Sequence, residues 1–208
     1  LHKLILTSGT YRQSSRWNES AAAIDTDNRL LWRFPHRRLP AESVRDAMLA
    51  ASGSLNPAMF GPSFRPFEIV KNPGSYHSYE PVDSADPDLQ RRTVYRMNVN
   101  SGGNPMLDAL DCPLPSMKVP KRSSTTTALQ ALSLMNNPFV QRMAGALALR
   151  VQAEQPDTSA RVGRAFQLVL GRSPRPEELT GAVQLANQAG LPAVCWGLFN
   201  SSEFLYVR

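Results

Sequence analysis

Residues 157–190 read DTSARVGRAFQLVLGRSPRPEELTGAVQLANQAG, two helix signatures in succession. Val162, Ala165, Phe166, Val169 and Leu170 recur at the 3.6-residue period of a single helix face. Asp157 to Ser159 offer side-chain oxygens for the N-cap, and Gly171 suits the left-handed residue that closes a helix. The turn Arg172-Ser173-Pro174-Arg175-Pro176 then reverses the chain. Glu177 and Glu178 fall in a new first turn, where carboxylates complement the helix dipole. Leu179, Ala182, Val183 and Ala186 stripe this second helix until Gly190. A last apolar segment, Leu191 to Val207, carries Trp196, Phe199, Phe204, Leu205 and Tyr206. Two antiparallel helices closed by an apolar segment set the fold class as mainly α, with a helical, bundle-like C-terminal part.

Upstream, the same period continues. Val140, Met143, Ala144, Leu147 and Val151 mark a helix that begins after the break at Asn137-Pro138. Before the break, Ala128, Leu129, Ala131, Leu132, Leu134 and Met135 are apolar on nearly every side, after a cap at Ser124 or Thr125. Such a helix is expected in the middle of a core. Near the other end, Val44, Ala47, Met48 and Ala51 share a face between Pro40 and Gly53. The opening segment, Leu1 to Gly9, reads as a further helix.

Proline divides the chain. Twelve of its 17 prolines lie between Pro35 and Pro120, and a residue that lacks an N–H and clashes within helices forces turns and extended backbone there. Within this stretch Arg92 to Val99 alternates with β-branched and aromatic residues and reads as a strand, with Phe64 to Val70 as a weaker second one. The Pro-rich middle is therefore expected to carry a small β element. The domain expectation is a single domain over 1–208: a helix plus the irregular and β part in 1–122, and the helical part in 123–208. Leu1, Leu4 and Ile5 stand at helical spacing with no initiator Met and no signal-type segment before them, which reads as a fragment of a longer chain.

A 42% apolar and 19% charged composition belongs to globular proteins rather than disordered ones. No run approaches the ~18 apolar residues of a membrane span. The net charge of +6 raises the question of polyanions, with Arg29, Arg33, His36, Arg37 and Arg38 as the densest basic group. The basic residues are otherwise scattered and mostly Arg, the cation best suited to partly buried ion pairs, which argues against nucleic acid as the partner. Cys112 and Cys195 make no disulfide framework, and the sequence leaves a single bridge between them open.

Motifs that specify a reaction are missing: no C-x-x-C, H-E-x-x-H or C-x-x-C-H, no nucleophile elbow, no P-loop. His2, His36 and His77 read as surface or loop residues. Paired carboxylates need no fixed spacing, so Asp108 and Asp111, on a shared face after Leu107 and Leu110, are the catalytic candidates. Their plainer reading is an exposed turn paired with Arg91, Arg92 or Arg122. These three, with Arg37 and Arg38, are the binding candidates. Asp83, Asp86 and Asp88 lack calcium-loop order, and Asp25, Asp27 and Asn28 suggest a turn. Trp17, Trp32, Tyr76 and Tyr79 are the aromatics that would floor a sugar site. No metal or cofactor is expected in this chain.

Several phrases occur together in order. They are Leu1-His2-Lys3-Leu4-Ile5 with Thr7 to Ser15, Arg38-Leu39-Pro40-Ala41-Glu42 with Arg45-Asp46-Ala47, and Arg91-Arg92-Thr93-Val94-Tyr95. Pro105 to Asp111, Thr125 to Leu132, Asn136 to Val140 and Asn200 to Val207 complete the set. As a set the chain resembles the planctomycete family of domain of unknown function 1553, over nearly its whole length, departing from the pattern at Asn98 to Asn104 and Pro113 to Lys118. The resemblance implies the C-terminal part of a large, exported protein with an upstream companion domain and often a haem-c-type segment, and no established activity. It implies a periplasmic or cell-surface location, with upstream domains of the same polypeptide as partners and a surface protein or polysaccharide as a further one. The expected function is thus a non-catalytic structural or interaction domain. The alternatives are a carbohydrate-active or hydrolytic domain built on paired carboxylates, and a polyanion binder using the Arg cluster.

Overall fold

A computed structural model describes residues 1–74, 77–100 and 102–207. Its elements, among the described residues, are ten helices and two small two-stranded antiparallel sheets, so the protein is mainly α. The chain divides into two compact units, the larger spanning Pro40–Leu205 and the smaller comprising Leu1–Leu39 with the last residues of the chain.

The larger unit is organised by one long helix. Pro138 supplies a pre-set φ at its first position and Asn137 accepts a hydrogen bond from the Phe139 N–H, so the helix starts at the break foreseen and runs Pro138–Glu154. Val140, Met143, Ala144, Leu147, Ala148 and Val151 are all buried. Against this stripe pack the helices Ala41–Ser52, Thr158–Leu170 and Leu191–Phe199. They contribute Val44, Met48 and Leu49, then Val162, Ala165 and Phe166, then Val194, Cys195, Leu198 and Phe199. Pro176–Ala189 lies over the outside and fully buries none of its residues. Asp157 caps Thr158–Leu170, and Gly171 ends it at φ 69°. Gly53 does the same for Ala41–Ser52 at φ 77°. Numbering in chain order, α1 is His2–Thr7, α2 Glu19–Ile24, α3 Ala41–Ser52, α4 Pro105–Ala109, α5 Ala128–Asn136, α6 Pro138–Glu154, α7 Thr158–Leu170, α8 Pro176–Ala189, α9 Leu191–Phe199 and α10 Ser202–Leu205.

Three local expectations are corrected. Residues 92–99 form no strand: Thr93–Tyr95 is a 3-10 turn, and isolated bridges join Arg91 to Asn56, Arg96 to Phe64 and Val99 to Gly102. The alternation was real, but side chains of α3 bind Thr93 and hold the segment in a turn. The strand expected from Phe64 is β2, Phe67–Lys71, and its partner is β3, His77–Pro81, in the segment read as a loop. Finally, α5 is not a core helix. Its cap is Thr127, in a reciprocal capping box with Gln130, and the residues it buries are Gln130 and Leu134, while Leu129, Leu132 and Met135 are 69%, 54% and 41% exposed. The Gln130 amide donates to Asp111 Oδ2 at 3.1 Å and to Thr125 Oγ1 at 2.9 Å. An inward polar anchor turns the apolar side chains out.

The smaller unit pairs β1, Arg37–Arg38, with β4, Tyr206–Val207. Asp25 follows α2 and accepts from the Arg29 and Leu30 N–H groups, with Asn28 at φ 56°, so the acidic stretch there is a turn. Trp17 and Trp32 meet edge to face at 5.5 Å, and Arg33 lies over both rings at 4.9 and 5.1 Å. α1 buries none of its residues.

Candidate functional site

The polar centre of the larger unit grows from two adjacent residues of α3. Arg45 sits on the buried stripe of this helix, which obliges its guanidinium to find partners inside. One Nη donates to the Arg91 carbonyl at 3.0 Å and to Thr93 Oγ1 at 3.1 Å, and the other to the Leu89 carbonyl at 2.8 Å. Asp46 turns the other way. It accepts from the Thr93 N–H at 2.8 Å and hydroxyl at 2.6 Å. The Arg45-Asp46 pair of one quoted phrase thus grips the Arg91-to-Tyr95 phrase.

A cavity of about 170 Å³ opens beside this grip. Its wall includes Arg45 from α3, Gln90 from the 3-10 turn Pro87–Gln90, Arg96 just after Thr93–Tyr95, and Arg142 from the second turn of α6, with Phe64 and Phe139 as aromatic sides. The Arg45 and Arg142 guanidinium carbons lie 5.5 and 5.4 Å from the centre of the Phe139 ring, and Arg45 also lies 5.5 Å from Phe64. Three guanidiniums face a single lining carboxylate, Asp83, which pairs with Arg142. Gln90 Oε1, Arg96 Nε and Arg142 Nη1 are buried without a hydrogen-bond partner. Burial first, then the like charges of Arg96 and Arg142, pull Arg45 down to about 10 against the pull of Asp46. It remains a cation at neutral pH, in a place that favours anions.

On the other side of Asp46 lies a wider cleft of about 530 Å³, lined among others by Glu42, Asp46, Arg92, Cys112 and Arg122. Here each carboxylate meets an arginine. Arg122 forks onto both oxygens of Glu42 at 2.8 Å, and Arg92 stands 3.6 Å from Asp46. Burial pushes Glu42 up, but the hydrogen bonds from Arg122, a backbone N–H and Cys112, together with the Arg122 charge, outweigh it in sum and leave the carboxyl below its ordinary value. Burial, reinforced by Glu42, raises the Cys112 thiol to about 11, so it is not a thiolate nucleophile at neutral pH. Cys112 and Cys195 are both free thiols.

The residues singled out from sequence fall in several places. Asp108 accepts from the Asn104 N–H at 2.9 Å at the start of α4. Asp111, at φ 65°, accepts from the Thr125 N–H and hydroxyl and from Gln130. Arg91 donates to the Ala58, Phe60 and Pro62 carbonyls and covers the Tyr95 ring at 4.2 Å. Arg92 and Arg122 come together on the wider cleft, while Arg37 and Arg38 form β1 in the smaller unit. Asp86 caps the 3-10 turn Pro87–Gln90. His2, His36 and His77 are exposed. Tyr79 lies in β3 with its ring edge-on to Phe67 at 5.2 Å, and Tyr76 lies outside the described residues. Sequence reading missed Gln90, Arg96 and Arg142, and Arg45 as a site residue. Only Arg45 left a signal, a cation three residues before Met48 and four after Ala41 on the apolar face.

Over residues 1–186 the chain matches the model of a family described as PSD1, protein of unknown function (DUF1553). Neither the curated proteins nor the solved structures contain a match to it.

Proposed function

Since the chain belongs to the PSD1 family of proteins of unknown function (DUF1553), whose description assigns no reaction, we propose that it is a non-catalytic interaction domain of a larger exported or cell-surface protein. The observation that carries this reading is apolar surface on ordered helices. Leu1, which precedes α1, and Leu4, Ile5 and Leu6 within it are 91%, 72%, 48% and 51% exposed. In α5, Leu129, Leu132 and Met135 stand at i, i+3 and i+6, the spacing of a single helix face. Single exposed leucines need no explanation, but a helix that shows its apolar side marks a surface to be covered. Covering one such side chain fully is worth about 1.5–3 kcal/mol. The polar centre supports the same reading, because its acids are taken up by hydrogen bonds from neighbouring side chains. Among the described residues, no helix is long and apolar enough to cross a membrane.

Hydrogen exchange tests the proposal by comparing this chain alone with the same segment inside its full-length protein. Amides of α1 and α5 are expected to exchange at least tenfold more slowly in the longer protein. Equal rates in both settings would remove the interaction reading. Fractionation of cells that express the full-length protein tests the location, and recovery in the cytoplasm would overturn export.

A further inference from the structure

The guanidinium-lined cavity goes beyond docking. We propose that it binds a carboxylate that carries a neighbouring hydroxyl, the chemistry of a uronic acid or a small hydroxy acid. Charge calls for the anion: Arg45, Arg96 and Arg142 line the cavity with Asp83 as the lone lining acid, and even with Asp46 at 3.7 Å behind Arg45 the wall keeps an excess of positive charge. Unpaired donors call for a fork of acceptors: Arg96 Nε and Arg142 Nη1 each carry an N–H that no oxygen meets, and carboxylates accept such pairs well. The unpaired acceptor calls for a hydroxyl. Gln90 is 94% buried, from a relative exposure of 6%, and its Oε1 lacks a donor. A bare carboxylate or a sulfate ion has no proton for it. The Phe64 and Phe139 rings, with Pro66 and Met106, give the apolar wall against which C–H groups of a ring or short chain lie. Size restricts the ligand, since about 170 Å³ is below the range of ~300–1,000 Å³ typical of drug-sized sites. One sugar-acid residue or a smaller acid is the fitting scale. The N-terminal turn of α6, at Pro138 and Phe139, adds a positive dipole end to the same wall.

The test uses the unaltered chain and four probes: D-glucuronate, acetate, D-glucose and sulfate, followed by calorimetry and by nitrogen-detected spectra of the arginine Nε–H groups. D-glucuronate is expected to bind at least tenfold more tightly than each of the others and to shift the Arg96 and Arg142 signals. Arg142→Gln and Arg96→Gln are each expected to weaken it about tenfold. Gln90→Leu is expected to leave acetate affinity in place and erase most of the glucuronate preference. An oligouronide that binds more tightly than the monomer identifies a polysaccharide source, and equal affinity identifies a free small acid; both support the site. The proposal is overturned if acetate, glucose or sulfate matches glucuronate, or if glucuronate leaves the arginine signals of the unaltered protein in place. That last measurement needs no variant to fold.

Discussion

Thr93 carries more of the polar centre than its size suggests. Its N–H and hydroxyl both meet Asp46, and the same hydroxyl receives an Nη proton from Arg45. Thr93→Val keeps the shape and deletes the hydroxyl, leaving a buried guanidinium and a half-buried carboxylate each one partner short. Hydrogen bonds to charged groups are worth about 1.5–3 kcal/mol each, so denaturant unfolding is expected to show a loss of about 2–3 kcal/mol. A loss under ~0.5 kcal/mol would mean that the grip of α3 on this turn is incidental. The two thiols offer a second residue-scale outcome. Burial raises Cys195 to about 12, and burial with Glu42 raises Cys112 to about 11, so at pH 8 alkylation of the native protein by iodoacetamide is expected to be slow at both. Rapid labelling of either without denaturant would contradict their placement. None of this was legible beforehand, because Thr93 and Asp46 are 47 residues apart and their partnership belongs to tertiary structure.

Among the elements, legibility followed how each helix is held. α6 and α7 are held by their apolar stripes, and period and caps predicted them. α5 is held by Gln130 and Leu134, with one polar anchor outweighing a row of leucines, so its apolar composition misplaced it. Thr127→Ala removes its capping hydroxyl and is expected to cost about 1 kcal/mol. Leu132→Gln on the outer face is expected to shift stability by less than ~0.5 kcal/mol; a larger loss would show that this face packs within the chain. At the other end of the unit, Arg172 forks onto Glu178 at 2.7 and 2.8 Å and onto Glu203 at 2.7 Å through two nitrogens, joining α8 and α10. The arginine holds the Glu178 carboxyl down to about 2, below an unfolded-state value near 4.5. A depressed carboxyl contributes stability that is complete above the unfolded value and is lost as pH falls from about 4.5 through about 2. Arg172→Met is expected to flatten that part of the acid-unfolding curve, and an unchanged curve would show the clasp to be inert.

Across the whole molecule, the excess of positive charge is largely spent on structure. Arg150 donates to the Ala50 and Ala51 carbonyls at the end of α3, Arg161 to Gln155 and Pro156 after α6, and Glu154 accepts from both Arg150 and Arg164. Cations at carbonyl-rich helix ends are stabilised by the dipole, which gives these arginines a structural role within the chain. The two units differ in what holds them. The larger one encloses the continuous apolar core around α6, whereas among residues 1–39 Ala22 is the one side chain classed as buried. Stability within a protein tracks buried apolar contact, and segments that lack it open first. Amides of α1 and α2 are therefore expected to exchange far faster than those of α6 and α9, with the smaller unit melting below the main thermal transition. A single transition, with α1 protected as strongly as α6 in the isolated chain, would contradict this. It would also remove the physical motive for a covering partner, because a helix already stable with its leucines in water has nothing to gain from being held.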